Sequence, residues 1–213
     1  MYLSQLKLSP AEIQVKHDLA NPYELHRTIL RAFPTPLPEG ERILFRVENT
    51  VDSGISFVLV QSQNQPDWTK VEQQYPTYFS EAPQVKTLQG LQIKNGDLLR
   101  FRLRANPTKR VLYESTQRSQ RISLFSEEDR KQWLLRKSKI SGFSFNPEIL
   151  LTTDAPYRTI FIAKEDKTYK ATINMVDFNG VLKVDDVGKL MLSLAQGIGP
   201  AKGLGCGMLS LSH

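Results

Sequence analysis

One predicted helix carries residue types that could break a phosphodiester bond. The run Asn21-Pro22-Tyr23-Glu24 is typical of a helix start, with an N-cap, a proline at the first helical position and a glutamate at the third. Tyr23, Arg27 and Arg31 then repeat at intervals of four, and His26 lies at the edge of their face. Histidine exchanges a proton near neutral pH, arginine neutralises phosphate charge, and tyrosine orients a hydroxyl. These residues could cut RNA without a metal, although an ordinary solvated helix face has the same composition.

The other two histidines offer no obvious partner for His26. His17 lies in a charged segment before the helix, and His213 is the last residue. A second proton-transfer group would have to be Tyr23, a lysine or water.

A glycine-rich run near the C-terminus suggests close backbone approach to an anion. Residues 197–207 contain five glycines and one lysine, Lys202. Glycine permits positive φ and leaves peptide groups accessible, so Gly197, Gly199, Gly205 and Lys202 are candidate RNA-binding residues. A structural turn of the same composition is equally compatible with this run.

A basic strand is the third candidate feature. Arg100, Arg102 and Arg104 alternate with apolar residues, and Lys109 and Arg110 follow. Three arginines on one strand face repel each other, so the pattern predicts an anionic partner. Because guanidinium groups match phosphate geometry, RNA contact is preferred to a solvated face.

Composition limits the classes of protein considered. The formal net charge is +6 and the sequence pI is about 9.4, which favours a polyanionic partner or simply solubility. One cysteine, Cys206, rules out an intrachain disulfide and a multi-cysteine zinc site. The acidic pairs sit where helices begin, and no histidine lies near them, so we predict no metal site and no cofactor. No signal peptide or long apolar run is visible, which predicts a cytoplasmic protein without a membrane association.

The order of predicted elements indicates an α+β protein with two tandem ferredoxin-like, RRM-like units of βαββαβ order. The first unit spans residues 1–95 and carries the catalytic helix, and the second spans 96–213 with the basic strand and the glycine-rich loop. The connections Tyr75–Pro83 and Arg110–Ser123 are long and polar, so they are predicted to be irregular and mobile. Asn179-Gly180 is predicted to form a turn or a bulge.

Several of these runs resemble the CasE endoribonuclease family of type I-E CRISPR systems. The runs that carry the resemblance are Asn21–Thr28, Val58–Gln61 with Pro66-Asp67-Trp68, Arg100–Arg110, and Gly197–Gly207 with Met208–Leu211. They occur at both ends and in the middle of the chain, in the order and spacing of the family.

The resemblance implies binding of the repeat hairpin of precursor CRISPR RNA and metal-independent cleavage at the 3′ base of its stem. Attack by the adjacent 2′-hydroxyl would give a 2′,3′-cyclic phosphate and a 5′-hydroxyl. It further implies that the protein, a monomer when free, stays on the mature RNA and joins the other subunits of Cascade. His26 and Tyr23 match the family's catalytic histidine and tyrosine. Arg31 stands where a lysine is common, and it keeps the charge but cannot donate a proton.

Two other functions are compatible with the sequence. Ferredoxin-like domains often bind RNA without cutting it, so a non-catalytic RNA-binding module is the main alternative, although the RNP aromatic pattern is missing. A purely structural subunit of a ribonucleoprotein complex is the third possibility.

Overall fold

The first half of the chain forms a four-stranded antiparallel sheet. The structure, a computed structural model, describes residues 1–49, 56–113, 118–155, 159–164 and 167–212, without the side chains of 49, 113, 118, 159–164 and 167–172. The strands have the spatial order β2-β3-β1-β4. The elements are β1 (Tyr2–Lys7), α1 (Ile13–Ala20), α2 (Pro22–Leu30), β2 (Leu44–Asn49), β3 (Ser56–Ser62), α3 (Thr69–Gln74) and β4 (Gln84–Thr87).

The second half forms a sheet of the same topology with two added hairpins. Its strands have the order β13-β5-β12-β8, with β9 extending the pairing along β12, while β6–β7 and β10–β11 are separate hairpins. The elements are β5 (Leu98–Ala105), β6 (Thr108–Tyr113), β7 (Arg118–Ser123), α4 (Glu127–Ile140), β8 (Phe143–Phe145), β9 (Leu151–Asp154), β10 (Thr159–Lys164), β11 (Lys167–Thr172), β12 (Val176–Val184), α5 (Val187–Gln196) and β13 (Leu209–Ser212).

These two sheets confirm the prediction of tandem ferredoxin-like units. In each, the first strand lies between the third and the last, and the second strand is at the edge. Alternating apolar residues of β5, such as Leu99 and Leu103, pack in one core with Trp133 of α4 and Leu190 of α5. The sheets use residues 2–87 and 98–212. The division between Asn95 and Gly96 stays a prediction.

Helix α2 begins where the sequence predicts. Asn21 Oδ1 accepts a hydrogen bond from the Tyr23 amide at 3.1 Å, and Pro22 occupies the first position. Leu25 and Ile29 are buried in the N-terminal core, so one face of α2 packs against the first sheet. The helix ends at Leu30, where tighter backbone bonds replace the helical ones.

Two local predictions are wrong. Residues 110–113 and 118–123 belong to the paired β6–β7 hairpin, so they are not an irregular connection. Gly180 pairs in register with Phe101 in an unbroken β12. Glycine suits this position because a Cβ there would lie 3.2 Å from the Phe101 ring. The connection Tyr75–Pro83 contains no helix or strand, and within it Tyr78 is 2% exposed and donates a hydrogen bond to Asp18 at 2.6 Å, while its mobility stays a prediction. The sequence reading also missed α1.

None of the helices that the structure describes is long and apolar enough to cross a membrane.

Candidate catalytic site and nucleic-acid interface

His26 is held between the two ferredoxin-like units. Its ring stacks on Phe45 of β2, with centroids 5.8 Å apart and planes 16° from parallel. On another side it faces the 3₁₀ turn Lys202–Leu204 of the glycine-rich loop, where a Cβ on Gly203 would lie 3.2 Å from Cε1 of His26. The half-buried imidazole is therefore fixed by a strand from one unit and a turn from the other.

Tyr23 faces the same turn from one helical step earlier. It packs against a small apolar cluster that includes Ala201, Leu204 and Cys206. The backbone of β10 also lies next to α2. Tyr23 and His26 thus both lie near the 3₁₀ turn, and their action as a catalytic pair stays a prediction.

The surroundings of His26 keep its imidazole neutral. Burial is the main cause and the positive charge of Arg42 the second, and together they lower the pKa of His26 to about 4. The pKa of Lys202 is lowered as well, by burial and then by the charges of Arg42 and Lys137. A neutral imidazole beside this cationic cluster can accept a proton next to a bound phosphate.

Arg27 and Arg31 are less closely tied to this site than the helical spacing suggests. Arg27 is exposed and forms an ion pair with Glu24 at 2.9 Å. Arg31 is exposed at the C-terminal end of α2. Their roles in RNA binding and catalysis stay predictions.

The glycines of the C-terminal loop pack against protein side chains. Gly199 has φ +85°, and a Cβ there would lie 2.9 Å from the Trp133 ring. A Cβ at Gly197 would approach Leu44 to 2.8 Å, and one at Gly205 would approach Phe45 to 3.3 Å. The fold itself thus needs glycine at these positions. The loop presents Lys202 as its charged side chain, while the RNA contacts predicted for the three glycines stay predictions.

A groove of about 910 Å³ runs from this loop to the β6–β7 hairpin. Trp133 and Gly199 lie along it, beside the C-terminal half of α4. Its charged lining residues are all basic: Lys109, Arg110, Arg121, Arg136, Lys137 and Lys202. Lys202 is in the groove and the adjacent Gly203 contacts His26, so the groove and the imidazole share one turn.

Two arginines in this groove lie directly opposite each other. Arg110 of β6 and Arg121 of β7 are cross-strand partners in the hairpin register. Like charges opposite one another destabilise a hairpin, and among the residues that the structure describes no carboxylate lines this groove. The argument that repelling arginines need an outside anion therefore applies to this pair.

The same argument is wrong for the basic strand β5. Asp177 accepts hydrogen bonds from Arg104 at 2.7 Å and from Arg102 at 3.0 Å, and Glu48 forms an ion pair with Arg102 at 2.9 Å. Arg104 is only 6% exposed. The neutralising anions are thus carboxylates of the protein, which the sequence could not place because they lie on other strands. Arg100 remains exposed on this face.

Sequence reasoning missed five residues of the site and groove: Phe45, Arg42, Gly203, Arg136 and Lys137. For Arg136 and Lys137 there was a signal, because the C-terminal half of α4 has several basic residues and no acidic one. Phe45 and Arg42 gave none, since only the tertiary fold brings β2 to α2. Among the residues that the structure describes, no group of three or more acidic, histidine or cysteine side chains is arranged to hold a metal ion.

A family model described as CRISPR associated protein matches residues 1–213. The chain belongs to this family. This CRISPR-associated protein is 34% identical over 220 residues to the "CRISPR-associated endoribonuclease Cse3" of Thermus thermophilus, with both chains fully covered. It is 32% identical to the "CRISPR system Cascade subunit CasE" of Escherichia coli, covering 100% of this chain and 99% of that one. The resemblance to CasE predicted from the sequence is confirmed.

Solved structures of relatives agree with this CRISPR-associated protein in fold. A Cse3 structure bound to a 19-nucleotide RNA has a TM-score of 0.81 and 32% identity, with full coverage of both chains. A Thermus thermophilus Cse3 structure with an RNA representing a pre-cleavage complex has a TM-score of 0.80 and 32% identity, covering 100% of this chain and 98% of that one.

Proposed function

We propose that this chain is a metal-independent endoribonuclease that binds and cleaves the repeat hairpin of precursor CRISPR RNA. It then remains on the mature RNA as a subunit of Cascade, in the cytoplasm, having been a monomer before it bound RNA. The relatives named endoribonuclease and Cascade subunit support this proposal. The observation that carries it is the neutral His26 seated against the 3₁₀ turn at the end of a basic groove.

The proposed chemistry is a transesterification within the RNA. His26 takes the proton from the 2′-hydroxyl, which Tyr23 helps to orient, and the 2′ oxygen forms a bond to phosphorus. The bond from phosphorus to the 5′ oxygen breaks, and that oxygen takes a proton from water. The charges of Arg42, Lys202 and Arg31 offset the negative charge that develops on the phosphoryl oxygens. The products are a 2′,3′-cyclic phosphate and a 5′-hydroxyl.

The basic groove is the proposed site for the RNA stem. The groove brings together cations from a hairpin, a helix and a loop. Its arginine pair on β6 and β7 has no carboxylate beside it among the described residues that line the groove. Phosphate contacts made by such residues supply affinity and fix the orientation of the RNA. Since Lys202 lines the groove and the next residue, Gly203, lies against His26, a stem bound in the groove would pass near the imidazole.

The non-catalytic RNA-binding module is a second candidate, favoured by Arg31. This arginine stands at the position of the family's usual lysine and is exposed at the end of α2. Proton transfer there is excluded, so catalysis would depend on His26 and Tyr23.

Incubating the purified chain with an end-labelled repeat hairpin in excess EDTA tests the proposal. We expect one cleavage site, the same rate when Mg²⁺ is added, and a cyclic phosphate that acid opens. Tight binding without cleavage in either buffer would establish the non-catalytic module. Absence of both binding and cleavage would leave only the structural role.

Arg136→Gln is expected to weaken hairpin binding several-fold and to reduce the slope of log K against log salt by about one. Each lost phosphate contact releases roughly one counterion fewer on binding. Lys139→Gln is the matched control, because Lys139 is exposed on the same helix but does not line the groove. Equal slopes for the two variants, measured by filter binding across a salt series, would place the RNA stem elsewhere.

A further inference from the structure

Five charged side chains form a connected network where the two sheets meet. Arg46 and Glu48 come from β2 of the first unit. Arg102 and Arg104 come from β5, and Asp177 comes from β12. Arg46 pairs with Glu48 at 2.6 Å and Glu48 with Arg102 at 2.9 Å. Asp177 accepts hydrogen bonds from Nε and Nη2 of Arg104 at 2.7 and 2.8 Å and from Arg102 at 3.0 Å. The carboxylates thus join arginines of both units.

The arginines also bond to the backbone and side chains across the boundary. Arg46 donates to the carbonyl oxygen of Met208 at 3.2 Å and to Ser210 Oγ at 2.9 Å. In the opposite direction, Arg104 of β5 donates to the carbonyl oxygen of Val47 at 2.9 Å. Strand β2 is therefore tied to both β5 and the segment that leads into β13. These directional bonds fix orientation in a way that apolar packing does not.

Arg46 and Arg104 of this network each connect to one of the two segments that flank His26. Phe45, the residue before Arg46, stacks on the imidazole. The carbonyl oxygen of Arg104 accepts a hydrogen bond from the amide of Gly207 at 2.7 Å, at the end of the glycine-rich loop. Movement of β2 relative to β5 would thus separate the ring beneath His26 from the turn beside it.

We propose that this ionic network positions His26 against the glycine-rich loop, and that Asp177 and Glu48 are positioning residues for RNA cleavage. The inference rests on the proposed function of His26. Buried ion pairs contribute little net stability, because desolvation offsets most of their attraction, so a network of five at a unit boundary calls for another role. Here that role is to hold two units in one arrangement.

The partners within the network shift the pKa values of Asp177 and Arg46. Burial alone would raise the pKa of Asp177, but the hydrogen bonds and charges of Arg104 and Arg102 hold it below its usual value. Burial lowers the pKa of Arg46, and the charge and hydrogen bond of Glu48 oppose this shift. The arginine partners of Asp177 therefore favour its charged form.

The test is the single-turnover cleavage rate at saturating hairpin for Asp177→Asn and Glu48→Gln. We expect each variant to cut at least ten-fold more slowly while the hairpin Kd changes less than three-fold, because the basic groove contains neither residue. Glu48 makes two ion pairs where Asp177 accepts three hydrogen bonds, so Glu48→Gln is the milder change and decides the question if Asp177→Asn does not fold. Glu48→Asp, which keeps the charge, should recover part of the rate.

Tyr78→Phe is the control for a general loss of stability. It removes a buried hydrogen bond to Asp18 and touches none of the five network residues among the contacts described. We expect a lower Tm with a normal rate. Normal rates for folded Asp177→Asn and Glu48→Gln, or an equal loss of rate in Tyr78→Phe at the same drop in Tm, would overturn the positioning role. His26→Ala, assayed alongside, separates this failure from that of the proposed function, because an active His26→Ala would overturn the latter.

Discussion

Replacing His26 with alanine is expected to reduce the single-turnover cleavage rate of the repeat hairpin by roughly 10²–10⁴-fold, the usual contribution of a positioned proton-transfer group. Hairpin affinity should stay within a few-fold of the unmodified chain. The imidazole is neutral in the free protein, so it contributes little to phosphate binding. Time courses with labelled RNA give the rate, and filter binding of a non-cleavable hairpin gives the Kd.

His17→Ala is the matched control for this substitution. His17 lies in the adjacent helix α1, with a 61% exposed side chain near Asp18, and faces neither Phe45 nor Gly203 in the contacts described. This variant should cut at the normal rate. Near-normal cutting by His26→Ala would remove the imidazole from the mechanism, and an equal loss in both variants would indicate misfolding.

The sign of the pH dependence follows from the lowered pKa of His26. A base must be unprotonated to accept the 2′ proton, and burial followed by the charge of Arg42 lowers that pKa to about 4. For the free protein, kcat/KM should therefore hold across neutral pH and fall as the pH drops through about 4. Circular dichroism at each pH verifies that the chain is folded. A rate that rose steadily from pH 8 to pH 5 would instead make His26 a proton donor.

Removing the 2′-hydroxyl of the nucleotide before the cut is expected to stop cleavage entirely. In the proposed reaction that oxygen is the nucleophile, and no other group of the RNA can close the five-membered cyclic phosphate. Binding should change little, because affinity comes mainly from many phosphate contacts along the stem. A gel assay with the 2′-deoxy hairpin, at protein concentrations above Kd, measures both quantities.

A hairpin with the same modification one nucleotide further along provides the control, and it should be cut normally. Cleavage of the first substrate would show that water attacks phosphorus. The product would then be a linear phosphate, and the role of His26 would change from activating the RNA hydroxyl to activating water.

Local signals in the sequence were sufficient for the features that depend on near neighbours. Asn21 and Pro22 fix the start of α2 through a side-chain cap and a preset φ, and both act within three residues. The topology of both sheets also follows from the order of apolar runs, since short connections leave few alternative arrangements. The placement of Tyr23 one helical turn before His26 depends only on helical spacing, so it could also be predicted from the sequence.

The misjudged charged residues and the contacts of His26 depend on residues distant in sequence. Arg102 and Arg104 look unpaired along the chain, yet Glu48 and Asp177 reach them from two other strands. The 3₁₀ turn meets His26 only because β13 returns beside β5. A single sequence contains no signal of such contacts, so arginines paired inside the fold and arginines free to bind RNA have the same local pattern.

The position of the glycine-rich loop in the chain has a consequence for the order of events during synthesis. The helix with Tyr23 and His26 is made early, and the strands of its sheet are complete by Thr87, but the turn that closes the site is made only with residues 202–204. Translation proceeds at about 5–20 residues per second, and N-terminal domains commonly fold first. For several seconds the nascent protein therefore contains His26 and Phe45 but lacks the 3₁₀ turn that lies on the other side of the imidazole. Nuclease activity is therefore expected only once the C-terminal strand has joined the sheet.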